Sequence, residues 1–203
     1  MKSAVLLYSG GADSTLCALL LRERGWTVHA LSIGYEGRPA GEIAAAAALA
    51  SGLAFASFRE MSLGGLAKGT PSWVDGGRAQ DEGLVPYRNL VFWSLAANRA
   101  ASVGANAIAA GHTSYDAADY DDASPAFFDA LAKSLRFSGL GAMGRELEIV
   151  LPLASLTAQA MADELLRHRE LLRRSWSCWR NGDKPCGECY ACKERTFEAL
   201  TKR

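Results

Sequence analysis

The sequence has no apolar run long enough to span a bilayer. Its opening stretch, residues 1–8, is too short to serve as the apolar core of a signal peptide. The chain is therefore expected in the cytoplasm, with no membrane partner. It has no excess of charge either, with 22 Lys plus Arg against 22 Asp plus Glu. A neutral chain lacks the electrostatic footprint of a protein that grips long nucleic acid, which points to a small substrate. No internal repeat and no low-complexity tract appears. No Gly-Lys-Ser/Thr follows the glycine-rich turn near the start, which excludes a Walker A loop. Cysteine is sparse until the end of the chain: Cys17 stands alone, and the other four lie between Cys178 and Cys192. In a reducing compartment such a cluster reads as a metal site sooner than as disulfides.

What is present suits one domain with a small appendage. A chain of 203 residues hides roughly 70% of its unfolded surface, enough for a sizeable core. Short apolar runs predict strands over 4–7, 28–33, 54–58, 107–110 and 147–151. Apolar periodicity and capping residues predict helices over 15–24, 41–51, 89–103, 125–137 and 157–172, with a short terminal helix over 193–200. Residues 62–83 read as a long loop. Strands alternating with helices imply a doubly wound parallel sheet covered on both faces. Ligands bind beyond the carboxyl ends of such strands. Three candidate stretches fall there: 9–14, 34–38 and 111–122.

The first is Ser9-Gly10-Gly11-Ala12-Asp13-Ser14, between a strand and a helix. Glycines let the backbone approach a phosphate without a Cβ in the way. The N–H groups of the turn and the helix dipole then hold the anion, and Ser9 and Ser14 add hydroxyls. The same residues would also serve an ordinary capped βα turn. At the other end, Cys178, Cys186, Cys189 and Cys192 form a tight set in which Gly187 permits a knuckle. Four thiolates suit a closed, structural Zn²⁺ site. An iron–sulfur cluster or redox-active thiols are the alternatives. Cys17, on the apolar face of the first helix, reads as core.

The hexad resembles the Ser-Gly-Gly-x-Asp-Ser signature of the PP-loop ATP pyrophosphatases, whose loop cradles pyrophosphate while AMP is transferred. Three further stretches narrow the resemblance: Val85-Pro86-x-Arg88-Asn89 before a helix; Gly111-x4-Asp116-x3-Tyr120-x-Asp122-x4-Phe127; and Ser177-Cys178 with Cys186-Gly187-x-Cys189-x2-Cys192 and Arg195. In that order they resemble the 7-cyano-7-deazaguanine synthase family. The resemblance implies an adenine nucleotide alpha-hydrolase-like α/β fold over 1–172, a zinc-binding segment over 173–203, and a homodimer. It implies ATP and Mg²⁺ as cofactors, with 7-carboxy-7-deazaguanine and ammonia as substrates. No glutaminase segment is expected, so ammonia would be free or delivered. By the same resemblance Ser9, Gly10, Gly11, Asp13 and Ser14 hold the pyrophosphate, with Ile33, Arg38 and Gly111 at the nucleotide. Asp13, Ser14 and Arg88 act in catalysis. Arg88, Asn89, Asp116, Tyr120, Asp122 and Phe127 meet the deazaguanine. His112 reads as a polar strand-end residue, and Trp26, Trp73, Trp93, Trp176 and Trp179 as packing.

The chain departs from the family pattern at three places. Gly34-Tyr35-Glu36-Gly37-Arg38 stands where Asp-Tyr-Gly-Gln is usual. Thr157-Ala158-Gln159-Ala160 stands for Ser-Lys-Ala-Glu, and Ala123 for a cysteine. Arg38, Lys68 and Arg78 are the cations expected to compensate. The main reading is the ATP-dependent nitrile synthase. The alternatives are a paralogue that passes an adenylated deazapurine acid to a nucleic-acid or protein amine, and a nucleotide-binding module without turnover.

Overall fold

The computed structural model describes residues 2–64, 85–138 and 146–195. Five parallel strands form one sheet: β1 (Ser3–Leu7), β2 (Thr27–Tyr35), β3 (Ser57–Leu63), β4 (Ala107–Ala109) and β5 (Glu148–Val150), in the order β3-β2-β1-β4-β5. The chain winds outward from β1 through β2 to β3, then returns to place β4 on the other side of β1. The strand order therefore reverses between β1 and β4, the place at which sheets of this kind bind ligands beyond the carboxyl ends of their strands.

β1 explains why both faces are covered. Ala4, Leu6 and Tyr8 point into one apolar cluster with Leu16, Leu20 and Leu21 of α1 (Ala12–Glu23) and with Ala46 and Leu49 of α2 (Ala40–Ala50). Val5 points into the other, with Trp93, Ala96 and Ala100 of α3 (Arg88–Val103) and Phe128 and Leu131 of α5 (Pro125–Phe137). A strand buried on both faces reads as a continuous apolar run, as this one does. Cys17 lies fully buried in the first cluster, as expected, and burial lifts its thiol far above the ordinary range.

Several boundaries differ from the sequence reading: α1 starts at Ala12 rather than 15, and β2 runs on to Tyr35 rather than 33, so Gly34 and Tyr35 of the 34–38 stretch lie within the strand. β3 begins at Ser57, not 54, because Ala54 sits in a turn at φ 45 and the chain has not yet straightened. Its residues 59, 60 and 62 are exposed, so the edge strand lacks the apolar run that marks the others. The predicted helix over 157–172 divides into α6 (Ala158–Arg167) and α7 (Arg169–Leu172) at His168, whose φ of -107 breaks the spiral. The terminal helix, α8, starts earlier, at Tyr190, and runs to Arg195; residues 196–200 of that reading lie outside the described residues. So do most of the loop read over 62–83, with Lys68, Trp73 and Arg78. A short helix, α4 (Ser114–Asp119), and a 3-10 turn over Asp121–Ala123 were not foreseen. Among the described residues no helix is long and apolar enough to cross a membrane.

Candidate active site

The turn between β1 and α1 is tied to itself by its two serines. Ser9 Oγ accepts from Gly11 N at 3.1 Å. Ser14 Oγ donates to the Gly11 carbonyl at 3.2 Å and accepts from Ser9 N at 3.3 Å. The two hydroxyls lie 3.1 Å apart. α1 starts from Gly11 with no side-chain cap, so the first-turn N–H groups have no partner within the helix. That is the arrangement that receives an anion. Asp13 is exposed on the first turn, while Ser14 is buried.

Two neighbours hold the successive carbonyls of this turn outward. The buried Arg38 donates from Nη2 to Ser9 O at 2.6 Å, and Trp176 N donates to Gly10 O at 3.1 Å. Gly10 has φ +87, and a Cβ there would lie 2.5 Å from the backbone nitrogen of Ala46, so α2 sits directly on the turn. Arg38 also donates from Nη1 to Ser32 Oγ (3.0 Å) and Ile33 O (2.9 Å), and from Nε to Glu42 (3.2 Å). Burial raises the Glu42 carboxyl above its ordinary range, against the pull of Arg38 and Arg88. Arg38 thus braces the turn from within the fold. Ile33 buries its side chain under α3 and presents only its carbonyl, to Arg38.

From the other side of β1, Gly111 follows β4 and presses on the turn. A Cβ at Gly111 would lie 2.7 Å from Asp13 C and 2.8 Å from Ser14 N. α4 then begins with a reciprocal cap. Asp116 Oδ2 accepts from Thr113 N (2.7 Å) and Thr113 Oγ1 (2.8 Å), and Thr113 Oγ1 accepts from Asp116 N (3.2 Å). Tyr120 ends the helix, its N–H bonded to Asp116 O. Asn89 Nδ2 approaches Asp122 O at 3.4 Å, joining the start of α3 to the 3-10 turn. Arg88 donates to Tyr35 Oη at 3.0 Å and lies over the Tyr35 ring. Phe127 packs edge-on against Phe128.

His112 lies amid these groups. Its ring stacks on Trp93 (centroids 6.2 Å, 17°) and tilts against Phe128. Burial pushes its pKa down; Asp116 and Asp122 pull it up, and Arg88 pushes it down again. Arg88, Asp116 and Asp122 therefore act on one small region, which sequence spacing alone does not reveal. A depression of about 520 Å³ lined by Leu19, Glu23, Trp26 and Val28 lies at the opposite, amino-terminal end of β2 and shares none of these residues.

At the end of the chain Cys178, Cys186, Cys189 and Cys192 bring their sulfurs within 4.8 Å of one another, a set that can hold a metal ion. The knuckle residues donate to these sulfurs. Cys189 N and Glu188 N reach Cys186 Sγ at 3.3 and 3.4 Å, and Arg180 N and Cys186 N reach Cys178 Sγ at 3.4 Å each. Those N–H groups draw the Cys186 thiol down to about 6, while burial raises Cys192 to about 12. Gly187, at φ +73, makes the bend.

A family model described as queuosine biosynthesis protein QueC matches residues 3–202. The chain belongs to this family. Among its relatives, the 7-cyano-7-deazaguanine synthase of Gloeobacter violaceus is 34% identical over 97% of this chain and 92% of its own length. That of Synechococcus sp. (strain CC9902) is 31% identical over 96% and 91%. Among solved structures, the U34-tRNA thiolase NcsA of Methanococcus maripaludis, with its 4Fe-4S cluster, covers 98% of this chain and 64% of its own at TM-score 0.53 and 18% identity. The NMN synthetase of Francisella tularensis covers 100% and 78% at TM-score 0.53 and 13% identity. At such identities these two speak for the fold alone: a doubly wound parallel sheet. Membership of the family makes the chain an ATP-dependent ligase-type enzyme.

Three residues at the site were given no part in it by the sequence: Thr113, which was not named, His112, read as a polar strand-end residue, and Trp176, read as packing. Thr113 had a readable signal, the Thr-x-x-Asp capping box. His112 and Trp176 had none, since their partners are defined by sheet order and by a contact spanning 166 residues of chain.

Proposed function

We propose that this chain converts 7-carboxy-7-deazaguanine and ammonia to 7-cyano-7-deazaguanine at the expense of two ATP. The substrate carboxylate attacks the α-phosphorus of ATP and displaces pyrophosphate. Ammonia attacks the acyl adenylate, AMP leaves, and an amide remains. The amide oxygen then attacks a second ATP in the same way. Loss of AMP, with both protons leaving nitrogen, gives the nitrile. Adenylation is needed because neither a carboxylate nor an amide oxygen is a good leaving group.

The observation that carries this reading is the seating of residues 9–14 against Gly111 at the reversal point of the sheet. It sets a helix start suited to an anion beside the stretch that carries Asp116, Tyr120, Asp122 and Phe127, which the resemblance assigns to the base. Ser9, Gly10, Gly11 and Ser14 hold the leaving pyrophosphate. Mg²⁺ arriving with ATP would neutralise charge on the phosphates, with Asp13 the loop's carboxylate toward it. Arg88 and Asn89 stand at the start of α3, Arg88 steadied by Tyr35, and stabilise the charge that develops in the reaction. Asp116 and Asp122 accept from the guanine-like N–H edge, and Tyr120 or Phe127 stacks on the base. Arg38 and Ile33 serve the nucleotide indirectly, by fixing the turn.

The cysteine set fits Zn²⁺. Sulfurs each 2.3 Å from a tetrahedral ion lie roughly 3.8 Å apart, and Cys186–Cys192 and Cys178–Cys189 stand at 3.9 and 4.0 Å. Thiolates that each bind a separate iron of a cluster spread farther than this. Residues 1–172 carry the nucleotide chemistry and 173–203 the metal. The working form is a cytoplasmic homodimer using free or delivered ammonia. Incubation with 7-carboxy-7-deazaguanine, ATP, Mg²⁺ and ammonium, read by mass spectrometry, should yield the nitrile with AMP and pyrophosphate. ADP as product, or a conjugate formed only with an added amine, would reject the assignment.

A further inference from the structure

The four-cysteine segment does not merely adjoin the phosphate turn; one residue joins the two. Trp176 uses its backbone N–H on Gly10 O at 3.1 Å, in the middle of the turn. Its indole Nε1 donates to the carbonyl of Cys178, a metal-binding candidate, at 2.8 Å. The ring itself lies flush against the start of α2: a Cβ on Gly41 would fall 2.5 Å from Trp176 Cε2 and Cζ2. The same helix start is held a second time, by Asn181 Oδ1, which accepts from Ala40 N at 3.1 Å. α2 in turn covers the turn itself, through Ala46 against Gly10. A closed circuit results: cysteine knuckle, indole, α2, turn, and back to Trp176.

Resting on the function proposed above, we infer that Trp176 is a positioning residue that couples metal at the cysteines to nucleotide at the turn. Metal fixes the Cys178 carbonyl that orients the indole. The indole sets how α2 and the Trp176 N–H meet Gly10. The coupling is reciprocal, since a ligand that favours one geometry of the circuit favours the other ligand of that geometry. A purely structural tryptophan would instead change metal retention and stability equally with nucleotide present or absent.

The test uses the metal-loaded full chain and α,β-methylene-ATP with Mg²⁺, an analogue that resists cleavage at the bond in question. Metal affinity is measured by equilibrium competition with a chromogenic chelator, with and without the analogue, whose own affinity is read by calorimetry. In the unaltered protein the analogue should tighten metal binding about fivefold or more. Trp176→Phe keeps a ring but loses the bond to Cys178 O. Gly41→Ala replaces no proposed ligand and no residue of the turn but drives a methyl into the indole. Both variants should bind one metal per chain, and both should show a nucleotide effect below about twofold. An undiminished effect in both, or none in the unaltered protein while it binds the analogue, overturns the inference. If the unaltered protein binds no analogue, or binds it equally well after Ser9→Ala and Ser14→Ala, the functional reading fails and takes the inference with it.

Discussion

Two bends in this molecule turn on a glycine at positive φ, Gly10 in the phosphate turn (+87) and Gly187 in the cysteine knuckle (+73). They look alike in sequence, each a glycine among small or polar residues beside the groups that do the chemistry. In space they differ. A Cβ at Gly10 meets the backbone of Ala46 at 2.5 Å, whereas at Gly187 nothing among the described residues lies within 4 Å. The knuckle needs glycine for its own torsion only. The phosphate turn needs it for its torsion and for a helix packed on top. One bend is a local solution completed by side chains that can hold a metal; the other is a joint of the whole fold.

The sharpest way to break this contrast is to put alanine at both positions. Gly10→Ala combines a strained torsion with a collision against backbone that cannot rotate away, and should cost about 4 kcal/mol and abolish nucleotide binding. Gly187→Ala meets only the torsion, should cost about 1 kcal/mol, and should keep its metal. Chemical denaturation and metal analysis of the pair decide it; equal losses would refute the distinction.

Arg38→Met probes the same joint from below. Removing a guanidinium with a side chain only 2% exposed leaves the half-buried Glu42 without its ion pair and frees the Ser9 carbonyl. A loss of about 3 kcal/mol is expected. Nucleotide affinity should fall while metal content stays at one per chain. A variant as stable as the parent would show that the turn needs no brace there.

The smallest effect is in pH. Burial holds the His112 ring below its ordinary 6.5, so between the two values the unfolded chain binds more protons than the folded one. Stability should therefore be full above about 6.5 and decline as pH falls through that value toward the folded pKa. His29, also pushed down by burial, contributes in the same direction. Denaturation midpoints between about pH 7 and pH 5 should slope less steeply in His112→Asn than in His29→Asn or the parent. Identical slopes would remove His112 from the account.

Much of the fold was legible because the strands near the sheet centre are buried on both faces and so stand out as uninterrupted apolar runs, as at 4–7 and 107–110. β3 was misplaced because it is an edge strand: Arg59, Glu60 and Ser62 face solvent, while Leu53 and Phe55, which pack into the core from a turn, imitate a strand. His168 broke a helix that periodicity alone would have continued. At the site, the turn and the cysteines were readable since their chemistry lies in adjacent residues. Arg38 was read as a cation for the nucleotide; its placement on Ser9 O, Ser32 and Glu42 is a fact of packing.

The sequence by itself determined the elements whose physics is local: the turn of Ser9 and Ser14, the knuckle at Gly187, the capping box at Thr113, and the family to which the order of the motifs belongs. Only the tertiary structure decided which of them meet. Strand order sets β4 beside β1 and so presses Gly111 onto the turn, and a contact across 166 residues brings Trp176 to Gly10. Spacing along a chain fixes neighbours within a few residues, whereas contacts between distant segments follow from which apolar faces find burial against each other.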